Sequence, residues 1–215
     1  MVDEDYEIYV IDSGSYDGCG KMLQKHFPQV HFLQSKNNLG FSKANNQAYG
    51  MTKGRYLLFL NPDTEIHNNA IEILLKSIET LPAAGVVGAK LLNTDGTIQD
   101  TCVRTFPTIA NQLLESKVLR QYAPKSSLWG MATLYENTSN PKEVDSVSGA
   151  CLMIKKQIFI DVDRFSEEYF MYSEDIDLCY KVKKKKKKIY YIPNAIITHH
   201  GGKSSAKRKI SIFSD

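Results

Sequence analysis

The chain has 215 residues, 42% of them hydrophobic and 24% charged, enough apolar material for one sizeable core, which excludes a disordered, collagen-like or disulfide-scaffold protein. Its net charge of +3 rests on Lys183 to Lys188 and on Lys203, Lys207, Arg208 and Lys209, and the acidic remainder excludes a uniformly basic nucleic-acid binder. No apolar run nears the ~18 residues of a membrane-spanning helix, and Met1-Val2-Asp3-Glu4-Asp5 is acidic where a signal peptide would be basic, so a soluble, cytoplasmic chain is expected.

Glu7 to Ile11 reads as a short strand that runs into the turn Asp12 to Gly18. A helix follows to about Phe27 and stops at Pro28. Val30 to Leu33 is the next strand, Phe41 to Met51 a helix, and Tyr56 to Leu60 a buried strand ending at Asn61-Pro62-Asp63. From His67 to Leu81, Ala70, Ile71, Leu74, Leu75 and Ile78 recur at helical spacing. Strands alternating with helices imply crossover connections and an α/β fold with a mainly parallel sheet. Ligands in such sheets sit beyond the carboxyl ends of the strands, where Asp12 to Asp17 and Asn61 to Asp63 form two polar clusters expected on one edge.

Leu91 to Ile98 reads as a hairpin around Asn93-Thr94-Asp95-Gly96, and residues 120 to 142 as loop. Val144 to Ile154 reads as a strand broken at Gly149-Ala150, and residues 173 to 184 as a helix. Lys188 to Ile192 and Ala195 to His199 read as two paired strands around Pro193-Asn194. Without repeats or a linker, residues 1–215 make one domain, in which the strand–helix alternation of residues 1–100 gives way to a different pattern over 101–205. Cys19, Cys102, Cys151 and Cys179 form no CxxC pair and read as reduced, buried thiols rather than a disulfide or zinc set.

Three clusters carry groups that can do chemistry. Asn61-Pro62-Asp63 puts a carboxylate and an amide at a strand end, oxygen chemistry that suits a hard divalent cation, although Asn-Pro-Asp is also a common turn. Ser173-Glu174-Asp175-Ile176-Asp177 places three acids in a first helical turn behind a Ser N-cap, where the helix dipole favours ionised carboxylates; a general base must be ionised, and so must an ordinary helix start. His199-His200-Gly201-Gly202 ends the last strand and offers a metal ligand. His26, His31 and His67 have no such surroundings and read as structural. The lysine run reads first as a solvated helix end and second as a surface attracted to anionic lipid.

These pieces together resemble an inverting glycosyltransferase of family 2, with the GT-A (Rossmann-like) fold, and most closely its bacterial rhamnosyltransferase-type members. The resemblance rests on Val10 to Gly18, Asn37 to Asn46, Leu60 to Thr64, Val147 to Ile154, Tyr169 to Cys179 and His199 to Ser204, which stand in the family's order over residues 7 to 204. It implies that Asp12, with Ser13 beside it, contacts the base or ribose of a nucleotide-sugar donor, and that Lys43 and Asn45 lie near its base or diphosphate. It sets Asp63 at the end of the family's DxD metal motif with Asn61 in place of the first acid, and His199 at a further metal contact, His200 being the alternative. It assigns Asp175 as the catalytic base, Glu174 as helping to place the acceptor, and Gly149 and Ala150 as lining the sugar pocket. A divalent cation (Mg2+ or Mn2+), a saccharide or lipid-linked acceptor and peripheral contact with the inner face of a membrane follow from the same resemblance.

The chain departs from the family in its start, one strand–helix unit late, which implies impaired donor binding. Ser13 and Tyr16 replace the usual Asn and Thr, and the lysine run occupies a turn where the family has glycine, at a cost of about 1 kcal/mol if a lysine adopts positive φ there. The alternative to an enzyme is an inactive sugar-nucleotide or glycan-binding remnant of the same fold. A nucleotidyltransferase would need a basic, glycine-rich phosphate loop, and Asp12 to Gly18 contains neither lysine nor arginine.

Overall fold

Strand–helix alternation organises the first hundred residues in the computed structural model, which describes residues 6–107, 135, 138–170 and 172–201. In chain order come β1 (Tyr9–Asp12), α1 (Cys19–His26), β2 (His31–Gln34), α2 (Gly40–Tyr49), β3 (Tyr56–Leu60), β4 (Thr64–Ile66), α3 (Ala70–Thr80) and β5 (Ala84–Leu92). A 3₁₀ turn (Asp100–Cys102) and β6 (Val103–Arg104) follow. The second half supplies β7 (Lys142–Val144), β8 (Ser146–Val147), β9 (Cys151–Lys155), α4 (Lys156–Asp161), α5 (Glu174–Lys184) and β10 (Lys188–His199). Most of the loop expected over 120–142, and everything beyond Gly201, lies outside the described residues.

The main sheet has six strands in the order β3-β9-β5-β10-β4, with β7 also on β10. β5 and β10 pair in parallel, and β9 runs antiparallel between β3 and β5, so β3, β5 and β10 share one direction. The sheet is therefore mixed, flanked by helices, as the α/β reading requires. Its core is continuous: Val86 and Val87 of β5, Leu152 and Ile154 of β9, and Ile197 of β10 meet Leu74 and Ile78 of α3 and Leu178 and Val182 of α5, all fully buried. β1 and β2 make a separate two-stranded parallel ladder running from Tyr9↔His31 to Asp12↔Gln34. Two contacts fasten it to the chain before β3: the Tyr9 hydroxyl donates to the Met51 carbonyl (2.9 Å), and the Glu7 carboxylate accepts from the Gly54 N–H (2.9 Å).

Two elements differ from the sequence reading. β5, the central strand, was not expected, because Ala84-Gly85-Val86-Val87-Gly88-Ala89 alternates neither in period two nor with large side chains. Burial on both faces removes the alternation. Gly88 is required by packing, since a Cβ there would sit 2.4 Å from Val147 Cβ. The expected hairpin around Pro193-Asn194 is instead one continuous strand, β10, parallel to β5 on both sides of a register shift between Ile192 and Ile196. Proline lacks an N–H for the ladder, and at that bulge none is needed.

The hairpin at Asn93 to Gly96 is present, closed by Asn93 N–H to Thr97 O (2.7 Å) and a Leu92↔Ile98 bridge. All four cysteines are free, and burial pushes the thiols of Cys151 and Cys179 up to about 12. Lys186 follows the end of α5 at φ 56°, a left-handed conformation that favours glycine. Two lysines of the run have acidic partners on the β7 segment, Lys183 with Asp145 and Lys188 with Glu143.

Candidate active site

β4 sets the geometry of the acid–histidine end. It pairs antiparallel with the end of β10, Thr64 opposite His199, so the Asn61–Asp63 turn folds beside the two histidines. The His199 Nε2 atom lies 3.3 Å from an Asp63 carboxylate oxygen and 3.3 Å from the Asn61 amide nitrogen. His200 is held elsewhere: its Nε2 meets Glu65 (2.8 Å), its Nδ1 meets Thr94 (3.1 Å), and only its backbone N–H returns to the Asp63 carbonyl (2.9 Å). The alternative ligand His200 is thereby separated from Asp63, and His199 is the histidine brought to it.

The pair fits a divalent cation by distance. Two neighbouring ligands at about 2.1 Å from one octahedral ion stand about 3 Å apart, close to the observed 3.3 Å. Among the described residues no group of three His, Cys, Asp or Glu side chains converges on one point. Asp63 and His199 would therefore hold an ion whose remaining ligands come from solvent or from the phosphates of a bound nucleotide.

The aspartate end is built on α5. Asp175 stands in its first turn, and its two carboxylate oxygens accept from the backbone N–H groups of Gly149 (3.0 Å) and Ile176 (2.8 Å). Ser173 occupies the N-cap position, but at φ 73° and without a side-chain cap bond, so the expected Ser cap is replaced by the Asp175 carboxylate. Tyr172 shares the left-handed conformation at φ 72°, and two strained residues in succession turn the chain into the site. Asp177 faces away, bonded to the Ser166 hydroxyl (2.7 Å) and Lys181 (3.2 Å). Glu174 is buried with its Oε2 unpartnered, and burial, followed by the Asp175 charge, pushes its carboxyl above the usual range.

Gly149 and Ala150 join the two ends. Gly149 donates to Asp175, while the Ala150 carbonyl accepts the Asn61 N–H (3.0 Å), so a two-residue link ties the acid of α5 to the turn that carries Asp63. Gly149 is also close to Phe41 of α2. Gly40 lets α2 approach: a Cβ there would lie 2.4 Å from the Phe170 carbonyl, which instead accepts the Phe41 N–H at 3.1 Å.

The third cluster belongs to the β1–β2 ladder. Asp12 is buried at the end of β1; one carboxylate oxygen accepts the Ser15 N–H (2.8 Å), and the other, Oδ2, is buried with no partner among the described residues. Burial pushes this carboxyl up, but the Ser15 bonds and others outweigh it and leave it below its ordinary value. An orphaned carboxylate oxygen is an acceptor waiting for a donor such as a base N–H or a ribose hydroxyl. Ser13 is half-buried in the same turn. Lys43 is exposed on α2, and the Asn45 side chain donates to its own helix at the Phe41 carbonyl (2.9 Å). The sequence reading missed Gln99, which touches His199 twice; an isolated glutamine after a hairpin carries no sequence signal.

The mixed sheet flanked by helices has a GT-A fold, and it carries an acid–histidine pair at one strand end tied by a two-residue link to a helix-borne aspartate. A crystal structure of GalNAc-T7 with UDP, GalNAc and Mn2+ superposes with a TM-score of 0.63 at 13% identity, over 91% of this chain and 38% of that one. The glycosyl transferase family 2 profile matches residues 2–162, and the chain belongs to that family. It is 28% identical over 212 residues to an N-acetylglucosaminyl-diphospho-decaprenol L-rhamnosyltransferase of Mycobacterium tuberculosis, covering 93% of this chain and 68% of that protein. It is 27% identical over 214 residues to the rhamnosyltransferase WbbL of Escherichia coli, covering 94% and 76%. Among the described residues no helix is long and apolar enough to cross a membrane.

Proposed function

We propose that this glycosyltransferase moves a sugar from a nucleoside-diphosphate donor to a hydroxyl of a saccharide or lipid-linked saccharide, with inversion at the anomeric carbon and Asp175 as the general base. The names of the relatives favour a rhamnosyl donor, for which dTDP-rhamnose is our candidate, and one of them favours a polyprenol-diphosphate acceptor. The observation that carries the proposal is the Gly149–Ala150 link, which sets a carboxylate fixed by backbone amides beside the acid–histidine pair. Each Asp175 oxygen spends one lone pair on an N–H and keeps another for an acceptor proton. The acceptor oxygen attacks the anomeric carbon from the face opposite the leaving diphosphate. As the new C–O bond forms, its proton passes to Asp175 and the bond to the diphosphate breaks.

Asp63 and His199 would hold Mg2+ or Mn2+, which when bound neutralises the charge developing on the diphosphate. Asp12 would take the base or ribose through its unpartnered Oδ2. Lys43, exposed on α2, would be drawn to phosphate by charge alone. The test is single-turnover transfer from dTDP-rhamnose to an N-acetylglucosaminyl-diphospho-polyprenol. Asp175→Asn is expected to lose 10²–10⁴ in rate with donor affinity unchanged. An Asp175→Asn enzyme that retains its rate sinks the base assignment, and donor binding without turnover in the unmutated chain leaves the inactive remnant as the better reading.

A further inference from the structure

Gln99 makes two hydrogen bonds to one residue, and together they fix a proton. Its side-chain Nε2 lies 2.7 Å from the His199 backbone carbonyl and its Oε1 lies 3.0 Å from His199 Nδ1. A backbone carbonyl only accepts, so the nitrogen of the Gln99 amide must face it, and the amide oxygen must then face the ring. An amide oxygen also only accepts, so Nδ1 must carry hydrogen. The Nε2 atom, 3.3 Å from both Asp63 and Asn61, is then the nitrogen with the lone pair when the ring is neutral.

Gln99 is itself held in place. Its backbone N–H donates to the Leu91 carbonyl (2.9 Å) at the end of the central strand, and its carbonyl accepts from Cys102 N–H (3.1 Å). Its side chain lines a cavity of about 660 Å³ with Asn93, Thr97 and Asp100, and His199 stands between that cavity and Asp63. The neighbouring histidine shows the opposite arrangement: His200 Nε2 already meets Glu65, which leaves no nitrogen for an added ion.

We propose that Gln99 is a positioning residue that locks His199 as its Nδ1–H tautomer and turns the Nε2 lone pair toward a divalent cation shared with Asp63. The proposal rests on the cation site put forward above. With the ring neutral, the His199 lone pair faces the Asp63 carboxylate at 3.3 Å, offset among the described residues by the Asn61 N–H; an ion between them removes that repulsion. A ligating histidine whose second nitrogen is fixed in this way gains in both orientation and basicity.

The test uses two readouts on the full chain. Nitrogen-15 NMR of His199, assigned with His199→Asn and recorded without metal at a pH where the ring is neutral, reports the tautomer. Manganese titration reports affinity. The unmutated chain is expected to show Nδ1 protonated, Gln99→Leu to lose that preference and bind Mn2+ 10–100-fold more weakly, and Gln99→Glu, which keeps an acceptor toward Nδ1, to retain the tautomer. An Nε2–H tautomer in the unmutated chain, or a Gln99→Leu variant unchanged in both readouts, overturns the proposal. Asp63→Ala and His199→Ala separate it from the reading beneath it. If they bind Mn2+ as the unmutated chain does, the cation site itself is wrong, and the tautomer still decides the role of Gln99. If they lose Mn2+ and Gln99→Leu does not, only the role of Gln99 falls.

Discussion

The β1–β2 ladder and the six-stranded sheet carry different parts of one site on very different foundations. The ladder has four residue pairs, and its members other than Asp12 are half-buried or exposed. The main sheet runs through β5 and β10, whose central residues are shielded on both faces. Asp63, His199 and the Gly149 contact of Asp175 hang from the main sheet, whereas Asp12 hangs from the ladder. The groups proposed to act in transfer thus stand on the more deeply buried sheet, and the candidate nucleotide contact stands where few buried contacts oppose local opening. A bound nucleotide that paired the orphaned Asp12 oxygen would stabilise the ladder more than the sheet.

Matched substitutions give the largest expected contrast. Leu152→Ala removes a fully buried side chain from β9 and is expected to cost about 2–5 kcal/mol. Leu33→Ala in the half-buried ladder is expected to cost roughly 1 kcal/mol, since less area leaves water there. Denaturant unfolding of both variants checks this, and equal losses would erase the distinction between the two sheets.

Acid–base behaviour sharpens the contrast, because the two regions shift their carboxylates in opposite directions. Glu174 is raised by burial, then by Asp175, so its favourable contribution is present at low pH and disappears as pH rises through its folded value. Glu174→Gln is therefore expected to melt higher than the unmutated chain near pH 8 and to lose that advantage near pH 4. Asp12 is lowered, and its contribution is present above its unfolded value and lost as pH falls through the folded one. Melting temperatures of Glu174→Gln and Asp12→Asn across that range check both signs.

The smallest effect lies at the end of α5. Lys186 sits at φ 56°, where glycine has no side-chain penalty, and Lys186→Gly is expected to add about 1 kcal/mol, a rise of roughly 2–4 °C for a chain of this size. An unchanged or lower melting temperature would mean that the Lys186 conformation carries no strain.

What the sequence made legible follows from where the signals are local. α3 and α5 show themselves through helical spacing and an acidic first turn, and Asn61, Asp63, His199 and Asp175 are visible because strand ends and helix starts have characteristic residues. β5 was hidden because a central strand of small residues and glycine is shaped by Val147 of β8 and Val182 of α5, contacts of long sequence separation. β10 was split because Pro193-Asn194 has the local grammar of a turn, and only pairing with β5 overrides it. Gln99 was invisible for the same reason: its meaning lies 100 residues away at His199. Glu174 carries the same helix-start signal as Asp175, and nothing local to it marks that it is buried.

The cation site at Asp63 and His199 is tested most directly by melting the protein with UDP, GDP or dTDP, each with Mn2+ or with EDTA. A ligand at about 100 times its dissociation constant adds about 2.7 kcal/mol, a rise of several degrees. The expected result is stabilisation by one nucleotide with Mn2+, abolished by EDTA and in Asp63→Ala and His199→Ala. A nucleotide shift that survives EDTA and both substitutions would contradict the site.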